Sequence, residues 1–276
     1  MSKPSWRRRR PPDPSGAPPA RGPHRAGPAP GGRRTAADVS LIYGFHAVLA
    51  ALRGGRRQPR ALYATEAAAA RLQPELAAAG LSAEIVTAEA LARRLGADAV
   101  HQGVLLEAGP LADLDLSEIV AASGVTLVLD QITDPHNVGA IVRTAAAFAV
   151  DAIVTTERHA PELDGIVAKA ASGGLEHVPV VRVVNLARAL EELGDMGYLR
   201  IGLDSAAPET LATLPLPRPL ALVLGAEGKG LRRLSRENCD VLARLALPGA
   251  IQSLNVSNAC AVALALVMAR PDPESP

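Results

Sequence analysis

The chain has 276 residues, 29 Lys+Arg against 28 Asp+Glu, and a formal charge of +1, a length that fits one large or two small domains. Aromatic side chains make up 2% of it and cysteines number two. That composition excludes a single-strand binder built on aromatic stacking platforms and a disulfide framework or Cys-rich zinc site. No run of about 18 apolar residues reads as a membrane span and no apolar leader reads as a secretory signal, so a soluble cytoplasmic protein is expected.

The near-zero charge conceals a division along the chain. Residues 1–38 carry Lys3, Arg7 to Arg10, Arg21, Arg25, Arg33 and Arg34 against Asp13 and Asp38, a net +7 that leaves −6 for the rest. This stretch is rich in proline and glycine and poor in apolar side chains, so it cannot bury enough surface to offset its ordering entropy and is expected to be a disordered tail. Two readings stay open for it, an arm that binds nucleic acid by counterion release or a solvated tail of biased composition; a mitochondrial transit peptide is a weaker third, because the prolines spoil an amphipathic helix.

Residues 39–108 read as a small α/β unit. Its elements are a helix over 41–52, strands over 61–64 and 82–86, helices over 66–79 and 88–95, and a strand over 104–107 entered through His101–Gln102–Gly103. His46, on the apolar helix pattern, is expected to be a satisfied core histidine, and His101 either shapes a strand entry or contacts RNA. Residues 109–123, with Gly109, Pro110 and the acids Asp113, Asp115 and Glu118, read as a linker.

Residues 124–270 read as the main unit, with 271–276 a short tail. Strands over 125–129, 152–155, 178–183, 199–203, 220–224 and 241–247 alternate with helices over 138–148, 162–171, 186–193 and 256–269. That alternation implies a largely parallel sheet covered on both faces. Sites in such sheets form at the carboxyl ends of strands, and three strand-end loops hold the least ordinary residue choices. In the first, Asp134–Pro135–His136–Asn137 leads a helix, with Asn137 at the expected N-cap and Arg143 on an otherwise apolar helix, where a guanidinium needs a carboxylate, a phosphate or a partner chain. The second is Gly225–Ala226–Glu227–Gly228–Lys229–Gly230. It fails the P-loop spacing and the Rossmann G-x-G-x-x-G order, yet its glycines let backbone N–H groups approach a ligand. The third, 247–258, holds Ser253, Asn255 and Ser257, any one of which can cap the helix that follows. Ser253 has no G-x-S-x-G elbow around it. Arg232, Arg233 and Arg236 follow the second loop as either a solvated face or phosphate contacts. Six scattered histidines without H-x-x-H or C-x-x-C spacing support no metal site.

In order and spacing, the three segments LDQITDPHNVGAIVRT, LVLGAEGKGLRRL and LPGAIQSLNVSNACAVAL resemble the three motifs of the SpoU (TrmH-like) branch of the SPOUT RNA methyltransferases. LIYGFHAVLAAL and VHQGVLLE upstream are similar to that family's small L30e-like substrate-binding domain. The nearest likeness is to the subgroup that methylates the ribose 2′-hydroxyl of a guanosine in 23S ribosomal RNA. The resemblance implies an α/β fold whose C-terminal domain carries a trefoil knot, an exception to unknotted topology, and S-adenosylmethionine bound bent in a pocket lined by Gly225, Leu245, Leu247 and Leu254. The proline of the third motif is displaced here, with Ala246 and Pro248 flanking Leu247.

The resemblance also implies that Arg143, Asn137, Glu227, Ser253 and Asn255 form the catalytic set. Arg143 would act as base, or hold phosphate and stabilise a developing alkoxide, since an arginine normally stays protonated. Asn137 and Ser253 would position the ribose and phosphate, Asn255 would order the third loop, and Glu227 would fix Arg143 or the substrate. A homodimer with its active site near the subunit interface is implied, with the helices over 138–148 and 256–269 as candidate surfaces. A transfer RNA methyltransferase of the same fold and a non-catalytic RNA-binding or ribosome-assembly protein are the alternatives.

Overall fold

The apolar runs at 125–130 and 220–225 show no alternation, the mark of strands buried on both faces. In the computed structural model, which describes residues 39–119 and 124–270, they lie at the centre of a parallel sheet. That sheet comprises β5 (Val125–Asp130), β6 (Ala152–Thr156), β7 (Val180–Val183), β8 (Leu199–Leu203), β9 (Glu209–Thr210), β10 (Leu220–Gly225) and β11 (Val241–Arg244), in the order β7-β6-β5-β10-β8-β11-β9. Every pair in it is parallel.

The strand order reverses direction between β5 and β10, and Gly225 lies opposite Asp130 in register. The first and second loops therefore leave the sheet side by side, at the switch point where open α/β sheets place ligands. Helices α4 (Pro135–Ala147), α5 (Gly165–Ala171) and α8 (Val256–Met268) share a core with Leu127, Leu129, Leu222 and Leu224. On the other face α6 (Leu186–Asp195) packs against Val128, Val154, Ala221 and Val223. A short helix, α7 (Arg233–Glu237), follows the second loop.

Ahead of this sheet, β1 (Ser40–Tyr43), β2 (Pro59–Ala64), β3 (Ala83–Ile85) and β4 (Val104–Ala108) make a second sheet in the order β1-β4-β2-β3, with helices α1 (Phe45–Gly54), α2 (Glu66–Ala78) and α3 (Ala88–Leu95). The thirteen-residue α2 and eight-residue α3 both start at threonine caps, Thr65 and Thr87, whose hydroxyls accept from the third residue on. The two sheets belong to one compact unit. Immediately after α1, Arg57 Nε donates to Glu176 Oε1 at 2.7 Å, with the two side chains 1% and 3% exposed. Arg57 also donates to the Leu163 carbonyl at 3.2 Å, and Arg56 to the Leu175 carbonyl at 3.0 Å. These bonds fasten the end of the small sheet's first helix to the segments on either side of α5.

Several expectations are corrected. The stretch 41–52 is not one helix: residues 40–43 pair antiparallel with β4, and Gly44 at φ 90° turns the chain into α1. The first-loop helix starts at Pro135, not Val138. Asp134 is its N-cap, its carboxylate accepting from the His136 amide at 3.0 Å, so Asn137 lies inside the first turn. The helix expected from 162 begins at Gly165, and the strand expected over 241–247 stops at Arg244. In the expected linker, Leu116 is buried on the α6 face of the large sheet, within a 3₁₀ turn at Leu116–Glu118. The basic tail and residues 271–276 lie outside the described residues. Among those described, no helix is long and apolar enough to cross a membrane.

Candidate active site

Each of the three loops contributes one amide or carboxylate to a single cluster. Asn137, buried in the first turn of α4, donates through Nδ2 to Glu227 Oε1 at 3.0 Å. Asn255 Nδ2 donates to the same Glu227 oxygen at 2.5 Å and to Asn137 Oδ1 at 3.0 Å, and the Val256 amide approaches Glu227 Oε1 at 3.4 Å. Asn255 is at once the N-cap of α8, its Oδ1 accepting from the Ser257 amide at 2.9 Å and the Ser257 hydroxyl at 2.5 Å. One carboxylate oxygen is thus held by N–H donors from two other loops, and among the described residues Glu227 Oε2 remains uncommitted.

The second loop is shaped by its main chain. The Gly230 amide donates to the Ala226 carbonyl at 2.8 Å, and Gly228 and Gly230 sit at φ 73° and 64°, where a side chain is disfavoured. At Gly225 the reason for glycine is close approach: a Cβ would lie 2.2 Å from Gly230 C and 2.4 Å from Leu231 N. Gly225→Ala is expected to force these backbones apart and cost about 1–3 kcal/mol as overpacking, read as a lower urea midpoint with unchanged slope. The loop's exit is tied down by Asp130, a fully buried carboxylate at the end of β5. It accepts from the Arg232 amide at 2.9 Å and from Arg232 Nε at 2.5 Å.

A cavity of about 340 Å³ opens at these loops, lined by Gly225, Glu227, Leu245, Leu247, Ser253 and Leu254 among others. All four residues expected to line a cofactor pocket border it, and so do Ser253 and Glu227. Asp204, at the end of β8, lines it too. Sequence reasoning missed Asp204, although its position at the carboxyl end of a strand was a usable signal. Among the described residues, 246–254 make no backbone–backbone hydrogen bonds, and apart from the Gly249 carbonyl, which accepts from Gln252 Nε2, their main-chain groups are available to a ligand.

Arg143 lies elsewhere. It is exposed, has no hydrogen bond or ion pair among the described residues, and borders a groove of about 980 Å³ between the two sheets, with Tyr43, His46, His136, Asp164 and Lys169. Burial pushes the Asp164 carboxyl up, and burial and the neighbouring Asp164 push the Tyr43 phenol up. Within the chain Glu227 holds the two asparagines and makes no contact with its own Arg143. His46 is exposed in this groove rather than in the core, and His101 Nδ1 accepts from the Gly103 amide at 3.1 Å at the entry to β4. The three arginines after the second loop are each paired: Arg232 with Asp130, Arg233 with Glu237, and Arg236 with Asp204. Burial pushes both thiols, Cys239 and Cys260, up to about 12, so neither is a ready nucleophile. No cluster of metal-ligating side chains occurs among the described residues.

A parallel sheet whose strand-end loops are cross-linked by side-chain amides around an apolar, glycine-edged pocket has close counterparts among known proteins. The SpoU rRNA methylase family matches residues 124–265, and the RNA 2′-O ribose methyltransferase substrate-binding family matches residues 41–114. The 23S rRNA (guanosine-2′-O-)-methyltransferase RlmB of Pseudomonas aeruginosa is 41% identical over 234 residues, covering 81% of this chain and 93% of its own. That of Pasteurella multocida is 40% identical over 233 residues, covering 81% and 95%. Among solved structures, the SpoU methyltransferase AviRb from Streptomyces viridochromogenes, in complex with the cofactor AdoMet, superposes with a TM-score of 0.72 at 22% identity, covering 84% of this chain and 90% of that one. The chain belongs to the SpoU rRNA methylase family.

Proposed function

We propose that the chain transfers a methyl group from S-adenosylmethionine to the ribose 2′-hydroxyl of a guanosine in 23S ribosomal RNA, in the cytoplasm and as a homodimer. The observation that carries the reading is the Asn137–Glu227–Asn255 cluster. It joins three loops remote in sequence at the mouth of a pocket of suitable chemistry.

The pocket fits the cofactor. Its volume lies within the usual range for small-molecule sites, about 300–1,000 Å³. Leu245, Leu247 and Leu254 offer apolar contacts, most of the main chain of 246–254 offers hydrogen-bonding groups free of backbone partners, and the Glu227 carboxylate suits a cation. When bound, S-adenosylmethionine supplies an electrophilic methyl on a sulfonium. The protein's residues have the task of aligning a neutral 2′-hydroxyl and drawing off its proton, and such alignment is worth several kcal/mol of barrier. Ser253 and Asn137 position the ribose and its phosphate, Asn255 keeps the third loop on α8, and Arg143 holds phosphate and stabilises the developing alkoxide electrostatically.

Arg143 follows Asn137 by six residues, about 240° around a helix of 3.6 residues per turn, and it borders no part of the cavity at the second and third loops. This separation supports a dimer in which Arg143 of the partner subunit completes the site. The exposed Ala147 of α4 and Val262 and Ala265 of α8 offer small apolar contacts for it.

The test is transfer of labelled methyl from S-adenosylmethionine to protein-free 23S, 16S and transfer RNA, followed by nuclease mapping. The expected product is 2′-O-methylguanosine in 23S RNA. A mark on transfer RNA would overturn the substrate assignment, and cofactor binding without transfer to any RNA would favour a non-catalytic binding protein.

A further inference from the structure

The groove between the two sheets holds a second polar constellation that the chemistry above does not use. Gln102 sits at φ 55°, a left-handed conformation that costs energy for a residue with a side chain and clusters at functional sites. Its Oε1 accepts from the Phe45 amide at the start of α1 at 2.9 Å, and its Nε2 has no partner among the described residues while the side chain lines the groove. Lys169, on α5, lays its stem against Gly44: a Cβ there would meet Lys169 Cγ at 3.2 Å and Gln102 Oε1 at 3.5 Å. Gly44 thus lets the two side chains converge from opposite sheets.

The Lys169 ammonium forms no ion pair or hydrogen bond among the described residues, whereas Arg53, Arg57, Arg200 and Arg236 are each paired with a carboxylate. The acids of the groove form no ion pair with it: Glu162 is paired with Arg182 at 3.3 Å, the cationic neighbours of Asp164 are Arg57 and Arg182, and Asp98 makes no ion pair among the described residues. What remains is a cation, an amide donor and the unpaired Arg143 lining one groove, a set suited to phosphodiester oxygens.

We propose that Lys169 is a positioning residue for the RNA. Its ammonium and the Gln102 amide take one phosphodiester of the strand that Arg143 engages, and so set how far the target nucleotide reaches from the groove. The inference rests on the RNA-methyltransferase reading and names a contact for that substrate.

The test measures binding of full-length protein to protein-free 23S RNA across salt concentrations, together with steady-state methylation. Loss of one phosphate contact on single-stranded RNA makes the log–log salt slope shallower by about 0.7 and weakens affinity roughly threefold. Lys169→Gln is expected to show both, with a KM for RNA raised by the same factor, kcat within twofold and cofactor affinity unchanged. Lys169→Arg should keep the wild-type slope. Gln102→Glu retains an acceptor for the Phe45 amide but replaces the donor by an anion, and is expected to weaken RNA binding more than Lys169→Gln does. An unchanged slope in Lys169→Gln, with methylation of 23S RNA intact in the wild type, overturns this proposal alone. A loss in Lys169→Arg equal to that in Lys169→Gln overturns it in favour of a structural role. A wild-type protein that binds no RNA overturns both readings.

Discussion

Replacing Arg143 by Ala is expected to lower kcat for methyl transfer by about 10²–10³, the cost of removing one preorganised electrostatic donor from a reacting oxygen. S-adenosylmethionine affinity should not change, because the role proposed for Arg143 is toward the RNA phosphate and the reacting oxygen rather than the methyl donor. Arg143→Lys should recover little, since an ammonium cannot reproduce a planar, bidentate guanidinium. Single-turnover methylation with saturating RNA, beside an equilibrium titration of the cofactor, separates the two quantities. Mixing Arg143→Ala with Glu227→Ala adds a stricter check. If the site is shared between copies, the mixed dimer holds one pocket with its own Glu227 and the partner subunit's Arg143, and activity absent from either variant returns. Failure of that complementation would place both residues in one chain's site.

Arg57→Ala is expected to destabilise the protein by about 3–5 kcal/mol, the range for breaking a buried ion pair and leaving its partner charged. Both side chains are almost fully enclosed, and Glu176 Oε2 already lacks a hydrogen-bond partner, so nothing stands ready to take over from the guanidinium. Urea unfolding followed by circular dichroism measures the loss. Arg57→Met combined with Glu176→Leu should regain most of it, because a well-packed apolar pair escapes the desolvation cost. A loss below about 1 kcal/mol in the single variant would be the value of an exposed pair and would deny the contact its fastening role. Losing this contact also frees the small sheet from the turn after α5, so KM for RNA should rise even where the protein remains folded.

Six of the seven strands of the large sheet and its main helices were legible because long apolar runs alternate there with alanine-rich stretches, whereas the two-residue β9 is too short to leave a pattern. At the start of the small unit the run LIYGFHAVLAAL is apolar throughout, and periodicity cannot separate a buried strand from a helix in so short a stretch. Gly44 was the only mark of the break. At the first loop, Pro135 was the better signal than Asn137, since proline is favoured at the first helical position and Asp134 was therefore the cap. The three loops could be located because glycines and polar side chains follow strands at the end of the sheet where ligands gather, whereas the pocket set of Gly225, Leu245, Leu247 and Leu254 came from the likeness to the SpoU motifs. What no local pattern carries is a contact between distant positions. Asp130 with Arg232 is separated by 102 residues and Arg57 with Glu176 by 119, and each looks like an ordinary charge until the fold brings the two together. The direction in which Arg143 points is likewise a property of how α4 packs on α5 and α8.

Glu227 and Asn137 precede Asn255 by 28 and 118 residues, and that order has a consequence for biogenesis. A chain emerging from the ribosome presents the first two loops well before the residue that locks them together. Until the segment leading into α8 clears the exit tunnel, the carboxylate of Glu227 has only one of its two amide side chains and the pocket lacks a wall. Closure of the pocket is therefore a late event in the life of the polypeptide, arriving together with α8, whose Cys260, Ala263, Leu264 and Val267 complete the core.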